Sequence, residues 1–558
     1  MKRYSLNKSF HPENPTFLPL SAVLIFYILF SISNAYSQQP SQEWIARIPG
    51  PTSDLFGPFL QVDKNGNSYI AGTRVINDSI NILCAKYNTD GVQEWLKFYK
   101  HPGYGYLGTT GLALDSFGNA YVIGGFAPTS VTPVNALIIK FNGLNGSTIW
   151  AKSYFGNYGL SAFYDIKVDK MNNIYVVGGA DSSHLVIKYN INGDSVWVRN
   201  YHPLSTLETT QACTIDDSLN VVFTGYRRFY YPPFGYYDSL LVGKYSSNGI
   251  LRWESVYAND ILTNRGKVIT SDQNGSTFIG GITRVSGLVV FLTLKYDRNG
   301  VRQWAKIFNS GGGDNTLNDI ALDRSNNSLY VTGGAVVNGL PKAVTIKYNT
   351  TTGDSLWVKK DSGNNNGGGS KDIKVDSSGN VYITGATYNY PSNNPYEITT
   401  FKYSFQSIPL WLMTYNYGSY NGWDNGLSLE LGSSCVFVLG TSQSGFQLSD
   451  YVLIKYNEVL GISPISNIIP LSFNLQQNFP NPFNPKTKIR FSVSKNSVIQ
   501  LKIFDVLGRI KEILVNEKLI PSEYELTFDA TKYSSGVYFY QLIADGRIID
   551  TKKLVILK

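Results

Sequence analysis

A pattern of strand, tight turn, strand, loop, strand, tight turn, strand recurs along most of this chain, and its two ends are incomplete in complementary ways. Residues 111–125 and 136–150 hold one clear copy. The turn Asp115-Ser116-Phe117-Gly118-Asn119 sits between alternating apolar positions, which is a hairpin signature, and a second turn at 142–146 leads to Trp150. Equivalent aspartates stand at Asp63, Asp115, Asp169, Asp216, Asp272, Asp323 and Asp376, and subtraction gives spacings of 52, 54, 47, 56, 51 and 53 residues. A Lys-aromatic pair marks the third strand eight times, from Lys86-Tyr87 to Lys455-Tyr456. Tryptophans mark the fourth strand at Trp95, Trp150, Trp197, Trp253, Trp304, Trp357 and Trp411. The last copy lacks its aspartate and stops at Asn457 without a fourth strand, whereas residues 42–48, carrying Trp44, form a strand with no partner of their own.

A ring accommodates both ends. The N-terminal strand completes the last blade, and no sheet edge is left unpaired by the mismatch. The expected fold is therefore all-β: an eight-bladed β-propeller over residues 42–457, closed by its N-terminal strand, with about fifty residues per blade. A solenoid would not need the spare strand.

The markers have structural explanations. Asp opening a turn and Gly near its end supply an Asx hydrogen bond and a positive φ. One regular carboxylate per turn is a poor calcium site. The spacing Gly-x-x-x-Trp, as at Gly146/Trp150 and Gly353/Trp357, puts a large ring at one fixed place per blade, suited to filling the gap between blades. The Asp-x-x-Gly-Asn-x-Tyr hairpins resemble the bacterial β-propeller repeat family labelled SBBP, and the Gly-x-x-x-Trp ends are similar to the tryptophan-docking repeats of quinoprotein and outer-membrane assembly propellers. Neither resemblance implies a single activity. The SBBP label implies seven blades, where the count here is eight.

The opening MKRYSLNKSF is basic, residues 17–32 are apolar, and Ala35-Tyr36-Ser37 offers small residues for cleavage, so residues 1–37 are expected to be a signal peptide. No cysteine follows that run, which argues against a lipoprotein. Cys84, Cys213 and Cys435 sit in apolar strand patterns without metal-ligand spacing and are expected to be buried thiols. Of the net charge of +8, residues 471–558 carry 13 − 8 = +5 and residues 1–37 carry 3 − 1 = +2, leaving about +1 for the repeats. Nucleic-acid binding needs a concentrated basic face, and that balance does not supply one.

In such a blade both hairpin turns lie on one side. The second-to-third loops and the crossings lie on the other, where binding residues accumulate. That side is rich in aromatics: RRFYYPPFGYYDS at 227–239, TYNYPSNNPYE at 387–397, and crossings with Tyr104, Tyr106, Tyr158, Phe163, Tyr164, Tyr417, Tyr420 and Trp423. Rings flanked by Asn and Gly suit sugars or extended peptides, so Arg227, Tyr230, Tyr231, Tyr236, Tyr390 and Trp423 are the candidate ligand-binding residues. Loop-to-loop packing is the competing explanation. Asp165, Asp319 and Asp372 each stand four residues before a turn aspartate, at the mouth of the expected channel. They could hold a cation or act as acid and base, or simply bond the next blade's backbone. No catalytic residue is assigned. The histidines His101, His184 and His202 show no nucleophile partner, the vicinal cysteine pair of quinone-dependent dehydrogenases is missing, and neither a metal nor a cofactor is expected.

Residues 458–470 form a linker with two prolines, and residues 471–558 change pattern to about seven short strands, expected as an Ig-like β-sandwich. This tail is similar to the type A C-terminal sorting domain of type IX secretion. The likeness rests on Asn478-Phe479-Pro480-Asn481-Pro482-Phe483-Asn484-Pro485, Thr487, Ile489, Phe491, Phe504 to Arg509 with Gly508, Ser535-Gly536-Val537-Tyr538, and Lys552-Lys553-Leu554-Val555. It implies Asn481, Pro482, Phe483, Asn484, Pro485, Gly508 and Gly536 as the sorting signal and the type IX machinery as partner. It also implies passage across the outer membrane, then removal of the tail with surface attachment or release. The expectation is a secreted or surface-displayed, monomeric, non-catalytic binding module for glycan or extracellular protein. The alternatives are a carbohydrate-processing enzyme using the channel-mouth carboxylates and a structural surface spacer.

Overall fold

The computed structural model describes residues 40–48, 57–77, 79–102, 106–127, 134–156, 160–201, 207–233, 235–259, 263–362, 367–388, 396–417, 423–432, 435–443, 449–458, 463–466, 470–495, 497–519, 521–531 and 533–557. The expected signal peptide and Tyr104, Tyr158, Tyr390, Tyr420 and His202 lie outside the described residues. Among the described residues there is no helix, and so none long and apolar enough to cross a membrane.

From Ser41 to Asn457 the described residues form eight four-stranded antiparallel sheets, numbered one to eight here in chain order. Seven are continuous in sequence. The eighth takes Asn425–Leu431, Cys435–Gln443 and Ser449–Asn457 from the end of the series and Ser41–Ile48 from its beginning. In that pairing Trp44 lies directly opposite Lys455. The first strands of successive sheets touch one another, and that of sheet one, Phe59–Val62, also touches that of sheet eight. The arrangement is propeller-like. Alternation along the first strands turns Leu60, Ile166, Ile373 and Leu429 into the sheet interfaces, where all are buried.

The turn aspartates act locally. Asp115 Oδ1 accepts from the backbone N–H of Phe117 and Asn119, and its Oδ2 accepts from Asn119 Nδ2 and the Tyr121 hydroxyl. Asp63 and Asp376 repeat the set with Asn67/Tyr69 and Asn380/Tyr382. Their lone pairs are thus occupied by donors of their own hairpin.

The tryptophans and the third-strand lysines act between sheets. Trp95 Nε1 and Lys86 Nζ both donate to Gly143 O, in the second hairpin turn of sheet two, at 3.2 and 3.1 Å. Trp197 and Lys188 share Ser247 O, and Trp304 and Lys295 share Thr350 O, in the same way. Trp44 and Lys455 of sheet eight share Thr89 O in sheet one, at 3.0 and 2.8 Å. The Gly-x-x-x-Trp spacing follows from this docking. Gly146 has φ +71°, and a Cβ there would lie 2.6 Å from the Trp95 ring. Each glycine is the landing surface for the preceding sheet's indole, four residues before its own sheet's tryptophan.

Sheet eight has no second hairpin turn, because its fourth strand comes from the other end of the chain. At that junction Glu458 takes the place of the turn carbonyl: its carboxylate accepts from Lys402 Nζ at 2.7 Å, Trp411 Nε1 at 2.9 Å and the Tyr382 hydroxyl at 2.6 Å.

The tail forms two more four-stranded antiparallel sheets around one shared core, which includes Phe483, Ile489, Phe491, Leu501, Tyr540 and Leu554. Its first strand, Ser463–Ser466, pairs with Ser522–Asp529, so part of the expected linker belongs to this unit and the tail has eight described strands where about seven were expected.

Two variants test these junctions. Gly146→Ala should cost about 1–2 kcal/mol through its left-handed backbone alone, with further loss from the contact with Trp95. Glu458→Ala leaves an ammonium and an indole N–H facing no acceptor, while the Tyr382 hydroxyl keeps Asp376, and should cost about 3 kcal/mol, with Glu458→Gln recovering part of it. Urea unfolding of full-length protein reads both, and an unchanged midpoint for Glu458→Ala would refute the role given to that carboxylate.

Candidate functional site

From sheet two onward every first strand carries a register shift, which skips Thr110, Tyr164, Gln211, Lys267, Asn318, Lys371 and Leu427 in turn. Such a bulge leaves one residue without a cross-strand partner and re-aims its side chain. Three of these side chains reach the next sheet just ahead of its own bulge. Thr110 Oγ1 donates to Phe163 O at 2.7 Å, Lys267 Nζ to Leu317 O at 2.8 Å, and Asn318 Nδ2 to Ser370 O at 2.7 Å.

The expected channel-mouth aspartates are the residues that follow three of these bulges. Asp165 accepts from the Cys213 N–H at 2.9 Å, Asp319 from the Ile373 N–H at 3.0 Å, and Asp372 from the Leu429 N–H at 2.7 Å, each in the next sheet. That bond accounts for their recurrence. Two residues further on, the same strand face carries Lys167, Lys374, Glu430 and Gln61. Lys167 pairs with Asp165 Oδ1 at 2.7 Å, and Lys374 with Asp372 Oδ1 at 3.0 Å and Glu430 Oε1 at 3.7 Å. Gln61 Nε2 donates to Glu430 Oε1 at 3.3 Å, joining sheets one and eight. Lys167 and Lys374 also feel each other's charge, although they come from sheets three and seven. The segments Asp165–Asp169 and Asp372–Asp376 share the sequence Asp-Ile-Lys-Val-Asp four repeats apart, a signal that could have identified both lysines.

Asp319 and Asp372 hydrogen-bond to one another, which requires a proton on one of the two carboxyls. Burial and then the charge of Asp372 push the Asp319 carboxyl well above the ordinary carboxylate range. Burial acts on Asp372 in the same sense, but Lys374 and the hydrogen bonds from Asp319 and the Leu429 N–H hold it below that range. Burial also raises Glu430. Lys267 is lowered to about 8, first by burial and then by the charge of Lys371.

The aromatic segment at 227–239 is not a loop. The strands Val221–Tyr231 and Gly235–Tyr245 continue through it, pairing Phe229 with Tyr237 and Tyr230 with Tyr236. Because cross-strand partners share a face, Tyr230 and Tyr236 lie on one side, 5.1 Å apart, and Phe229, Tyr231 and Tyr237 on the other. Tyr230, Tyr231 and Tyr236 are 61, 50 and 73% exposed. The sequence suggested a loop because Pro232-Pro233 and Gly235 crowd its tip, whereas the aromatic residues that flank them are strong strand formers.

Arg227 is engaged by carboxylates of its own sheet. It forms ion pairs with Glu208 and, at 2.7 Å, with Glu254, and the fully buried Glu208 also bonds His184 Nδ1 at 2.6 Å. Its neighbour Arg228 joins Arg265 on the buried Asp238. These two charged clusters fix the base of the hairpin. Trp423 is half exposed and stacks on Tyr396 at 4.5 Å, while Tyr417 lies 3.8 Å from the Arg47 guanidinium. Phe163, expected among the crossing aromatics, is instead fully buried in a first strand, and Tyr164 is a bulge residue. Cys84 and Cys213 are buried and Cys435 half buried. No metal-holding group of His, Cys, Asp or Glu occurs among the described residues.

In the tail the expected signal residues are mostly structural. Asn481 clasps the last strand, donating to Lys553 O and accepting from the Val555 N–H, and Phe483 is buried, with backbone bonds to Val555 and Leu557. Pro485 O accepts from the Ala530 N–H. Pro482 and Asn484 are exposed. Gly508 ends the Asp505 turn at φ +74°, and Gly536 opens a strand at φ +152°.

Residues 477–557 match the family described as secretion system C-terminal sorting domain. This domain indicates export by type IX secretion to the cell surface or the medium. No curated protein sequence matches the chain. Among solved structures, the chain is similar to Chaetomium thermophilum Sqt1 bound to the N-terminus of the ribosomal protein L10, at 9% identity and a TM-score of 0.47, over 75% of this chain and 100% of that one. It is also similar to the polysaccharide lyase Uly1, at 10% identity and a TM-score of 0.37, over 72% and 90% of the two chains. Likenesses at this level say nothing about chemistry.

The shared proton makes the two central aspartates unequal. Asp319→Asn keeps a donor toward Asp372 and should change stability by less than about 0.5 kcal/mol near pH 4. Because folding raises the Asp319 pKa, its ionisation opposes folding, so stability conferred by the neutral form declines as pH rises above about 4. The Asn variant should escape that decline. Asp372→Asn instead leaves Lys374 only its longer pairing with Glu430 and should cost about 2–3 kcal/mol at neutral pH. Unfolding curves between pH 4 and 8 separate the two variants, and equal losses from both would refute that inequality.

Proposed function

We propose that residues 42–457 are an eight-bladed β-propeller closed by its first strand, acting as an exported, non-catalytic binding module for glycans. The register of Trp44 against Lys455 and their shared acceptor Thr89 support the closed ring. The observation that carries the binding function is the hairpin of sheet four. It presents three tyrosines to solvent on paired strands, above a base locked by Arg227 and Arg228 in ion pairs. A phenol ring covers the apolar face of a sugar and its hydroxyl bonds sugar oxygens, and a rigid hairpin makes that contact at little entropic cost.

In this reading the tail, an Ig-like sandwich, is an address handled by the type IX machinery and has no part in binding. A carbohydrate-cleaving function for the central carboxylates is less favoured. The pair in a glycosidase stands about 5–9.5 Å apart to admit a sugar carbon or a water. Asp319 and Asp372 hydrogen-bond each other, and each also accepts from a backbone amide.

Glycan-array binding of the full-length protein beside Tyr230→Ala and Tyr236→Ala should show loss of at least about tenfold in each variant, equivalent to about 1.4 kcal/mol. Equal binding by all three proteins, or none by the wild type, would refute the hairpin as the binding element. Deleting residues 477–557 should leave the protein inside the outer membrane, and undiminished export would refute the address.

A further inference from the structure

Three successive first strands place Lys267, Asn318 and Lys371 at their bulges, on sheets five, six and seven. The bulges turn these three side chains out of their own ladders and toward the space that the first strands surround. Lys267 is tied down by its bond to Leu317 O, and Asn318 by its bond to Ser370 O, which leaves the amide oxygen of Asn318 facing away. Lys371 is exposed and has no hydrogen-bond or ion-pair partner among the described residues. The charges of Lys267 and Lys371 oppose each other, and burial disfavours the first ammonium further.

The deeper charges offer no relief. Asp165 is committed to Lys167, Asp372 and Glu430 to Lys374, and burial together with Asp372 disfavours the charged form of Asp319. Lys267 and Lys371, at the bulges, are left without a carboxylate partner among the described residues. Like charges held together at a cost in stability mark a place where a ligand of opposite sign restores the balance.

We infer that the arc of Lys267, Asn318 and Lys371 binds the carboxylate of an acidic saccharide, a uronate residue entering the central space. The inference rests on the glycan-binding reading and names the class of sugar. The two ammoniums take the carboxylate oxygens, and the Asn318 amide oxygen accepts from a neighbouring hydroxyl. The equivalent bulge and inward positions of the other first strands hold Gln61, Tyr164, Gln211, Thr214 and Thr270. These hydroxyl and amide groups match sugar hydroxyls, and Leu427 at the bulge of sheet eight is the apolar exception among the bulge residues.

Calorimetric titration of the full-length protein with an oligouronide, its methyl ester and an acidic peptide tests this. The oligouronide should bind, and Lys371→Ala should weaken it about tenfold, with Lys371→Arg restoring most of the affinity. The ester should bind the wild type about as weakly as the oligouronide binds Lys371→Ala. Because Lys371 is exposed, has no hydrogen-bond or ion-pair partner among the described residues and repels Lys267, the alanine variant should unfold at or above the wild-type midpoint. Equal affinity for acid and ester, or an oligouronide affinity unchanged in Lys371→Ala, would overturn the inference. So would binding of the acidic peptide alone. If neutral glycans bind through Tyr230 while the oligouronide does not, the inference falls and the hairpin reading stands. If no glycan of any kind binds, both fall.

Discussion

At six of the eight junctions one carbonyl group holds the repeats together, whereas between sheets four and five Trp253 reaches Arg298 O and Lys244 reaches Gly275 O. An indole N–H and an ammonium from one sheet converge on a single oxygen in the next sheet's turn, as Trp95 and Lys86 do on Gly143. A neutral hydrogen bond contributes only about 0.5–1.5 kcal/mol net, and one from an ammonium about 1.5–3. The geometric consequence is larger than the energy. The indole reaches that oxygen by lying on the turn, so its ring closes the gap between sheets and the turn favours a glycine, with Ser407 at φ +69° the exception under Trp357. Docking, packing and backbone conformation are therefore one constraint. This is why Gly, Lys and Trp keep their spacing while the surrounding residues vary from repeat to repeat.

The seam shows that the constraint is chemical and not merely a repeated sequence. Where the chain supplies no turn, Glu458 supplies an oxygen. A carboxylate replaces a carbonyl well because it accepts several donors at once, and here it also takes the Tyr382 hydroxyl. The substitution places one charge opposite the Lys402 ammonium at the one junction that lacks a hairpin.

Much of this was legible in the sequence, because the repeats state each structural demand many times over. Seven aspartates and seven tryptophans at one period fix strand order, and the unpaired Trp44 strand fixes the pairing with the last copy. What happens once per molecule was not legible. Glu458 sits in a stretch that looks like linker, and no second copy marks it. Arg227 looked like an exposed cation beside tyrosines, but its partners Glu208 and Glu254 are supplied by other strands of the same sheet and cannot be inferred from spacing. The bulges were hidden for a different reason. A one-residue shift leaves the apolar alternation nearly intact on each side, so Lys267 and Lys371 look like ordinary polar strand positions.

The bulges also explain how a fold this repetitive keeps room for specificity. In a regular strand every inward position is bound to a cross-strand neighbour, and a new side chain there disturbs the ladder. A bulged residue is free of that ladder, so threonine, tyrosine, glutamine, lysine, asparagine and leucine all occupy the position in this one chain. The docking turns bear the inter-sheet constraint, and the bulges, which bear little of it, can differ from sheet to sheet. Chemical variety therefore concentrates at the bulges of the first strands and on the hairpin of sheet four, two places where changing a side chain leaves the docking turns intact.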